Sequence, residues 1–485
     1  MIFNSIDFLI FFAIVFSFYH IILKEKTLLQ NILLLVASYV FYAWVTWKIL
    51  PLLAAATAVF YFLGIAVFKA KTDKHKQFLT ITGVVLGIGA LLYFKYFNFF
   101  ITSFKDLFES FGLHTNLHTF KIIVPIGISF FTFRLLSYII DIHRGRIEPT
   151  RDFIAYAVYV AFFPCLLAGP IDRPALLIPQ LKNRRTFDYA LAVDGMRQIL
   201  WGLFKKIIIA DGCAIYVDAV FNGDFQWQRA STLVLAAIFY SFQMYADFSG
   251  YSDMAIGTAK LLGFRVTKNF DYPYFAQNIA EFWRKWHISL TSWLTDYVFM
   301  PLNVKFRDWG KWGMIVAIMI NFLLCGLWHG DSWTFVLWGF YHGLLFIPLI
   351  LSGKMFKKSK LETYSWGFPK PRTLFNIMLT FALVTAGLII FRAESLNHAF
   401  NYLMNVFDKS LLRNPWKMER AYYIPMFFNL AVMFSVEWFQ RRKQHALENG
   451  LFSNRYIRWM VYFILFFLIY WFRNENQQQF IYFQF

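Results

Sequence analysis

Apolar runs of helical length recur along this chain, at 6–23, 28–47, 49–68, 78–101, 122–142, 153–169, 230–250, 313–328, 333–351, 374–391, 422–439 and 457–472. A helix of about 20 apolar residues matches the ~30 Å hydrocarbon core of a bilayer. Within that core only helices and closed barrels can satisfy their own backbone. About twelve such runs, a few of them short, predict an all-α polytopic membrane protein. We expect about 11–12 transmembrane helices, with re-entrant or interfacial segments between them. Composition agrees: 59% of the 485 residues are hydrophobic, only 15% are charged, and mean hydropathy is +0.48. A soluble domain carries about 25% charged residues. The opening stretch, MIFNSIDFLIFFAIVFSFYHIILK, has no basic leader region and no small-residue cleavage site, so it reads as a retained first helix. The amphipathic region 187–221, with Lys205 and Lys206 inside an apolar stretch, reads as re-entrant or interfacial.

The net charge of +19 is placed in loops. Lys69, Lys71, Lys74 and Lys76 follow the third run, and Arg144, Arg146 and Arg151 the fifth. The stretch 260–311 holds eight basic residues, Lys354, Lys357, Lys358 and Lys360 follow the ninth run, and Arg441, Arg442, Lys443, Arg455 and Arg458 precede the last. Lys and Arg concentrate on the cytoplasmic side of membrane proteins, and this alternation puts both termini outside the cytoplasm. Two other basic stretches, 182–206 and 409–420, fall on the opposite side, and a re-entrant element resolves the first. The charge thus flanks membrane spans and does not indicate nucleic acid. Cys165, Cys213 and Cys325 have no metal-ligand or disulfide spacing. No P-loop, GxSxG, dinucleotide or HExxH pattern occurs.

Ionisable residues inside membrane segments are costly and mark functional sites. In CGLWHGDSWTFVLWGFYHG, residues 325–343, Trp328, His329 and Asp331 end one apolar run and His342 follows within the next. Its glycines allow close approach of backbones or of a ligand. Either histidine has the alternative of bridging two helices structurally. In EFWRKWHISLTSWLTDYVFMPL, residues 281–302, Trp283, Trp286, Leu290, Trp293 and Tyr297 recur at helical spacing, as in an interfacial helix, and His287 lies one residue off that stripe. In YADFSGYSDMAIGTAKLLGF, residues 245–264, Asp247, Ser249 and Asp253 suit cation binding, orientation of a histidine, or a polar knot at a broken helix. In AGPIDRP, residues 168–174, prolines break the sixth run beside Asp172 and Arg173. Two classes fit these clusters: an acyltransferase with a histidine base, or a transporter with titrating carboxylates. No inverted repeat supports the transporter.

Four motifs, GISFFTFRLLSYIIDIHRG, DFSGYSDMAIG, FWRKWHISLTSWLTDYVFMPL and GLWHGDSWTFVLWGFYHG, together resemble the membrane-bound O-acyltransferase family. The likeness is strongest to the branch of alginate O-acetyltransferase membrane subunits. The resemblance implies a helical core around a central tunnel, spanning residues 1–452, with 453–485 forming a last helix and an extracytoplasmic tail. It implies His329 as the catalytic base and His287 as the second family histidine, with Lys285 where an arginine is common. It points to a bacterial inner-membrane enzyme with no bound cofactor, fed by acetyl-CoA or an acyl-carrier thioester from a cytoplasmic carrier. An esterase-like extracytoplasmic partner would then place the acetyl group on an exported polysaccharide. D-alanyl or other acyl transfer is the alternative within the family.

The chain closes on NQQQFIYFQF, residues 476–485. Tyr482 lies nine residues beyond Arg473, and at ~3.3 Å per residue that tail spans about 30 Å, enough to fold back to mid-membrane. Relatives that modify envelope polymers often end in a similar aromatic peptide, so the resemblance implies Tyr482 as a tethered acyl acceptor. The alternatives are a hydrophobic plug or assembly signal, and direct transfer from donor to polymer with Tyr482 a bystander.

Overall fold

A computed structural model describes residues 1–113, 115, 118–223, 228–365, 367–415, 420–448, 451–452, 454–472 and 480–481. Among them the architecture is helical throughout, with no strand beyond an isolated bridge between Thr363 and Pro369. Six helices are long and apolar enough to cross a bilayer: Thr27–Val45, Trp47–Lys69, Asp73–Ser110, Lys311–His329, Trp333–Leu351 and Pro371–Arg392. Two shorter apolar helices are Ile6–Ile22 and Ile424–Phe439. The chain is therefore an all-α, multi-pass membrane protein.

Six is fewer than the number of apolar runs, and the difference has physical causes. The run at 122–142 starts late as a helix, at Ile128, after Pro125. The run at 153–169 is broken into Phe153–Ala161 and Phe163–Leu166, since Pro164 and Pro170 cannot donate to a continuing helix. The run at 230–250 belongs to a 32-residue helix, Ala230–Leu261, which carries Asp247, Asp253 and Lys260.

Contacts divide the chain into two compact units: Met1–Met196 with Ala255–Thr267, and Arg197–Met254 with Lys268–Phe485. In the first unit the Ile128–His143 helix is buried on nearly every side. Glycines let its neighbours come close: a Cβ on Gly64 would lie 2.6 Å from the Tyr138 ring, and one on Gly87 2.8 Å from Leu136. Arg134 of this helix is 1% exposed and donates to four carbonyls, of Tyr159 and Val160 at 3.2 Å and of Cys165 and Pro170 at 3.1 Å. These oxygens belong to the broken stretch, whose carbonyls lack helical partners, so one planar guanidinium substitutes for the missing ladder. Asp172 is fully buried in the same stretch and accepts from the Thr267 amide and hydroxyl at 2.8 and 2.6 Å. Arg173 precedes the Pro174–Lys182 helix in this unit, with extended backbone and no side-chain capping bond.

Region 187–221 resolves into a Tyr189–Leu203 helix, a π-helical turn Phe204–Ala210 and an Asp211–Phe221 helix. Lys205 and Lys206, on that turn, are buried at 3% and 5% exposure. Charges so placed are not loop charges, which removes part of the conflict in the loop pattern. The supposed interfacial helix at 281–302 is instead broken: two seven-residue helices, Ile279–Lys285 and Ile288–Leu294, are separated by an extended Trp286 and a left-handed His287, and the second runs on into a π-helical turn, Thr295–Phe299, and the Met300–Lys305 helix. Its aromatic stripe is buried at Trp283, Trp286, Leu290 and Trp293, so the period reflects a core and not a lipid surface.

Replacing Arg134 by Met should leave four buried carbonyls without their donor. At ~1–3 kcal/mol for each buried unsatisfied group, the loss should exceed about 3 kcal/mol. Thermal unfolding of the detergent-purified variant should show a markedly lower midpoint. A midpoint within a degree of the parent would mean that the guanidinium is not what holds the break.

Candidate active site

The site is built in the second unit, on the pair of helices Lys311–His329 and Trp333–Leu351. Two glycines fix their contact. A Cβ on Gly326 would collide with the Phe335 carbonyl, and one on Gly339 with the Phe322 carbonyl. This backbone-to-backbone approach is the use of small residues between membrane helices. It draws the last residue of the first helix, His329, against the second. The His329 ring is 6% exposed and is met edge-on by Trp328 at 4.9 Å, Trp338 at 5.1 Å and Phe391 at 5.1 Å.

A small cavity of about 20 Å3, room for little more than one water, opens on this ring, lined also by Trp283, Trp286, Trp338, His342 and Phe391. His342 is a structural member of the wall. The Trp283 indole N–H donates to its Nδ1 at 3.3 Å, which leaves the ring proton on Nε2. A Cβ on Gly387 would lie 2.8 Å from that Nε2. His342 thus joins its helix to that of Trp283 while also lining the cavity. Trp286 stacks on Phe282 at 5.4 Å and meets Phe270 edge-on at 5.1 Å.

His287 has φ +45°, one of three non-glycine residues in the left-handed region among the described residues. Such a conformation costs on the order of 1 kcal/mol and persists only where surroundings impose it. Here the fully buried Asn269 imposes it. Its backbone carbonyl accepts from the Ile288 amide at 2.8 Å, and its Oδ1 accepts from the Ser289 amide and hydroxyl at 3.2 and 2.9 Å. Its Nδ2 donates to Ser252 at 3.2 Å. The His287 ring lies 4.6 Å from Phe248 and 5.7 Å from Trp328. Trp328 is therefore packed against both histidines, and the two rings flank one indole.

Beside the histidines lies a charged cluster. Lys206 pairs with Asp247 at 2.7 Å and Asp211 at 2.8 Å. Lys205 pairs with Asp253 at 2.6 Å and donates to Ser249 at 2.9 Å, while Gln198 donates to Asp253 at 2.7 Å. The Lys205 ammonium also sits 5.6 Å from the Tyr245 ring, whose hydroxyl meets the buried Glu437 at 2.9 and 3.0 Å. The cluster exists because Gly202 faces Gly250: a Cβ on either would come within 2.8 Å of the other's carbonyl. The stretch around DFSGYSD is thus no broken helix. It runs unbroken through Ala230–Leu261, and its glycine serves close packing. Neither aspartate belongs to a metal-type cluster; among the described residues no group of three His, Cys, Asp or Glu is placed to hold an ion.

The tail enters this region. Phe480 and Ile481 are 3% and 4% exposed. Phe480 stacks on Tyr251 at 4.6 Å, and the Ile481 amide donates to Asp247 Oδ2 at 2.8 Å. Tyr482 lies outside the described residues.

Of the residues singled out in sequence, His329, His287, Trp328, Trp286, His342, Asp247, Ser249 and Asp253 all lie in the second unit. Asp331 is exposed in the turn after His329 and joins no cluster described here. Arg173 belongs to the first unit. Sequence reading missed Lys205, Lys206, Asp211, Asn269 and Glu437 as site residues. The signal available was the adjacent lysine pair within FKKIIIA, since two charges in an apolar run require partners.

A family model for the membrane-bound O-acyltransferases matches residues 39–390. The probable alginate O-acetylase AlgI of Pseudomonas putida is 38% identical over 400 residues, covering 82% of this chain and 79% of that protein. The probable alginate O-acetylase AlgI of Azotobacter vinelandii is 39% identical, covering 84% and 78% respectively. The peptidoglycan O-acetyltransferase of Helicobacter pylori is 31% identical, covering 78% and 74%.

Asn269→Ala removes the side-chain acceptor of the Ser289 amide while sparing the backbone bond to Ile288. Amide hydrogen exchange should therefore accelerate tenfold or more at Ser289, and less at Ile288. The thermal cost should be about 1–3 kcal/mol. Unchanged exchange at Ser289 would show that Asn269 does not set the backbone at His287.

Proposed function

The chain belongs to the membrane-bound O-acyltransferase family and is a membrane O-acetyltransferase, and from that premise we propose that it carries an acetyl group across the membrane for O-acetylation of an exported or cell-envelope polysaccharide. The relatives named for alginate and peptidoglycan O-acetylation support this class of acceptor. The donor is a cytoplasmic thioester, acetyl-CoA or an acyl-carrier thioester, and no cofactor stays bound. The membrane is a bacterial inner membrane with both termini outside the cytoplasm, and 453–485 is the last helix with its extracytoplasmic tail. The acetyl group passes through Tyr482 to an esterase-like extracytoplasmic partner.

The observation that best supports the relay is the burial of Phe480 and Ile481 beside Asp247. Tyr482 follows Ile481 directly, and consecutive Cα atoms are only ~3.8 Å apart. A plug would also be buried, but a plug has no need of a phenol.

A phenol of pKa about 10 is a weak nucleophile at neutral pH, so a base must take its proton as it attacks. His329 is that base. The phenolic oxygen bonds to the thioester carbonyl carbon, and the proton passes to His329. The tetrahedral intermediate then expels the thiolate, which takes up a proton and leaves as thiol. His287, flanking the same indole, stabilises the oxyanion. The aryl ester on Tyr482 is an activated acyl group, which a serine of the partner takes over on the outer side. Tethering holds the phenol at an effective concentration in the millimolar range or above.

Replacing His329 by Ala should abolish polymer acetylation with the protein still folded in the membrane. His287→Ala should cost roughly 10²–10³-fold, as for one lost oxyanion donor. Normal acetylation by the His329 variant would remove its assignment as base.

Tyr482→Phe keeps the ring and loses one hydroxyl. It should bind donor as before yet transfer almost nothing to polymer, and mass spectrometry should find acetyl on Tyr482 only in the parent. Full acetylation by the Phe variant would leave the tail as a plug and transfer as direct.

A further inference from the structure

We infer that Asp247, held in place by Lys206, is the positioning residue that sets the register of the C-terminal tail, its carboxylate taking the Ile481 amide. This inference rests on the relay reading for its purpose, and on geometry for its content.

The two oxygens of Asp247 have separate partners. Oδ1 is ion-paired with the Lys206 ammonium at 2.7 Å, and Oδ2 accepts from the Ile481 amide at 2.8 Å. Asp247 is 2% exposed and Lys206 5%. A charge-assisted bond from a backbone amide, in a site closed to water, is about twice as strong as a neutral one. A side-chain grip on Phe480 alone, by its stack on Tyr251, would leave the tail free to slip along its own axis. A bond to one particular backbone amide opposes slippage, because a shift by one residue would carry the Ile481 amide away from Asp247 and break it. The lysine has a second carboxylate, Asp211, at 2.8 Å. It therefore stays compensated when the tail withdraws, and Asp247 stays compensated when the amide departs. The clasp thus releases the tail without stranding a charge, as a relay that must turn outward to a partner requires.

The test reads tail seating and not catalysis. The three native cysteines are buried, so a single reporter, Gln484→Cys, is placed in the full-length protein in detergent micelles, and its rate of labelling by a bulky maleimide is measured. Asp247→Ala removes the acceptor, and Ile481→Pro removes the donor. Each should speed labelling about tenfold or more, the equivalent of a hydrogen bond to a charged group. Together they should speed it no more than either alone, because they delete the same bond. Multiplication of the two effects would overturn the clasp. Asp247→Asn keeps the size and one acceptor oxygen and guards against misfolding of the Ala variant. Its labelling should rise by less than with Ala, and a rise equal to that of Ala would count against the clasp. Failure of the relay is separate: absence of acetyl on Tyr482 in the parent, with the two effects still non-multiplicative, would sink the relay and leave the clasp standing.

Discussion

Two adjacent lysines buried away from water impose a strict condition on everything near them. Removing an ammonium from water costs several kcal/mol even after relaxation, and breaking a buried pair costs about 3–5 kcal/mol. Lys205 and Lys206 meet the condition by taking Asp253 and Asp247 from a neighbouring helix. That pairing demands that two backbones nearly touch, which Gly202 and Gly250 allow. It also demands that successive residues both face the neighbour, which the wider π-helical turn at Phe204–Ala210 permits. The same carboxylate, Asp247, then reaches the tail. Backbone contact, helix irregularity, charge pairing and tail seating thus depend on one another in that order.

The histidines are held by a different principle. His329 has a wall of aromatic edges, with Trp328, Trp338 and Phe391 all near 5 Å. Aromatic rings carry positive edges and negative faces, so edge-on contacts fix orientation as well as filling space. His287 is fixed through its backbone by Asn269. One imidazole is positioned by its ring and the other by its main chain, and the Trp328 indole connects the two.

The membrane class and most spans were legible in the sequence because hydropathy over twenty residues is a one-dimensional property. So were the histidines with Trp328, since each sits in a motif whose composition breaks an apolar run. Hydropathy alone misplaced helix ends where prolines intervene, as at Pro164 and Pro170. Periodicity misled at 281–302: Trp283, Trp286, Leu290 and Trp293 keep a helical period across a break at His287, because both short helices bury the same side. The buried lysines were visible as charges in an apolar run, but their partners and the Asn269 clamp were not. They depend on which residues of distant segments come into register, and no local pattern encodes that. The role of Tyr482 is a proposal from the resemblance; beside it the structure describes the buried Phe480 and Ile481.

The left-handed backbone at His287 has a consequence for how any exchange there must be interpreted. A β-carbon in that conformation is disfavoured by roughly 1–2 kcal/mol, whereas glycine adopts it freely. Alanine at 287 therefore deletes the imidazole yet inherits the backbone penalty, while glycine deletes the imidazole and lifts the penalty. The two substitutions are chemically alike at the site and opposite in their effect on the main chain. Comparing them separates what the ring contributes to the reaction from what the fold expends in holding it.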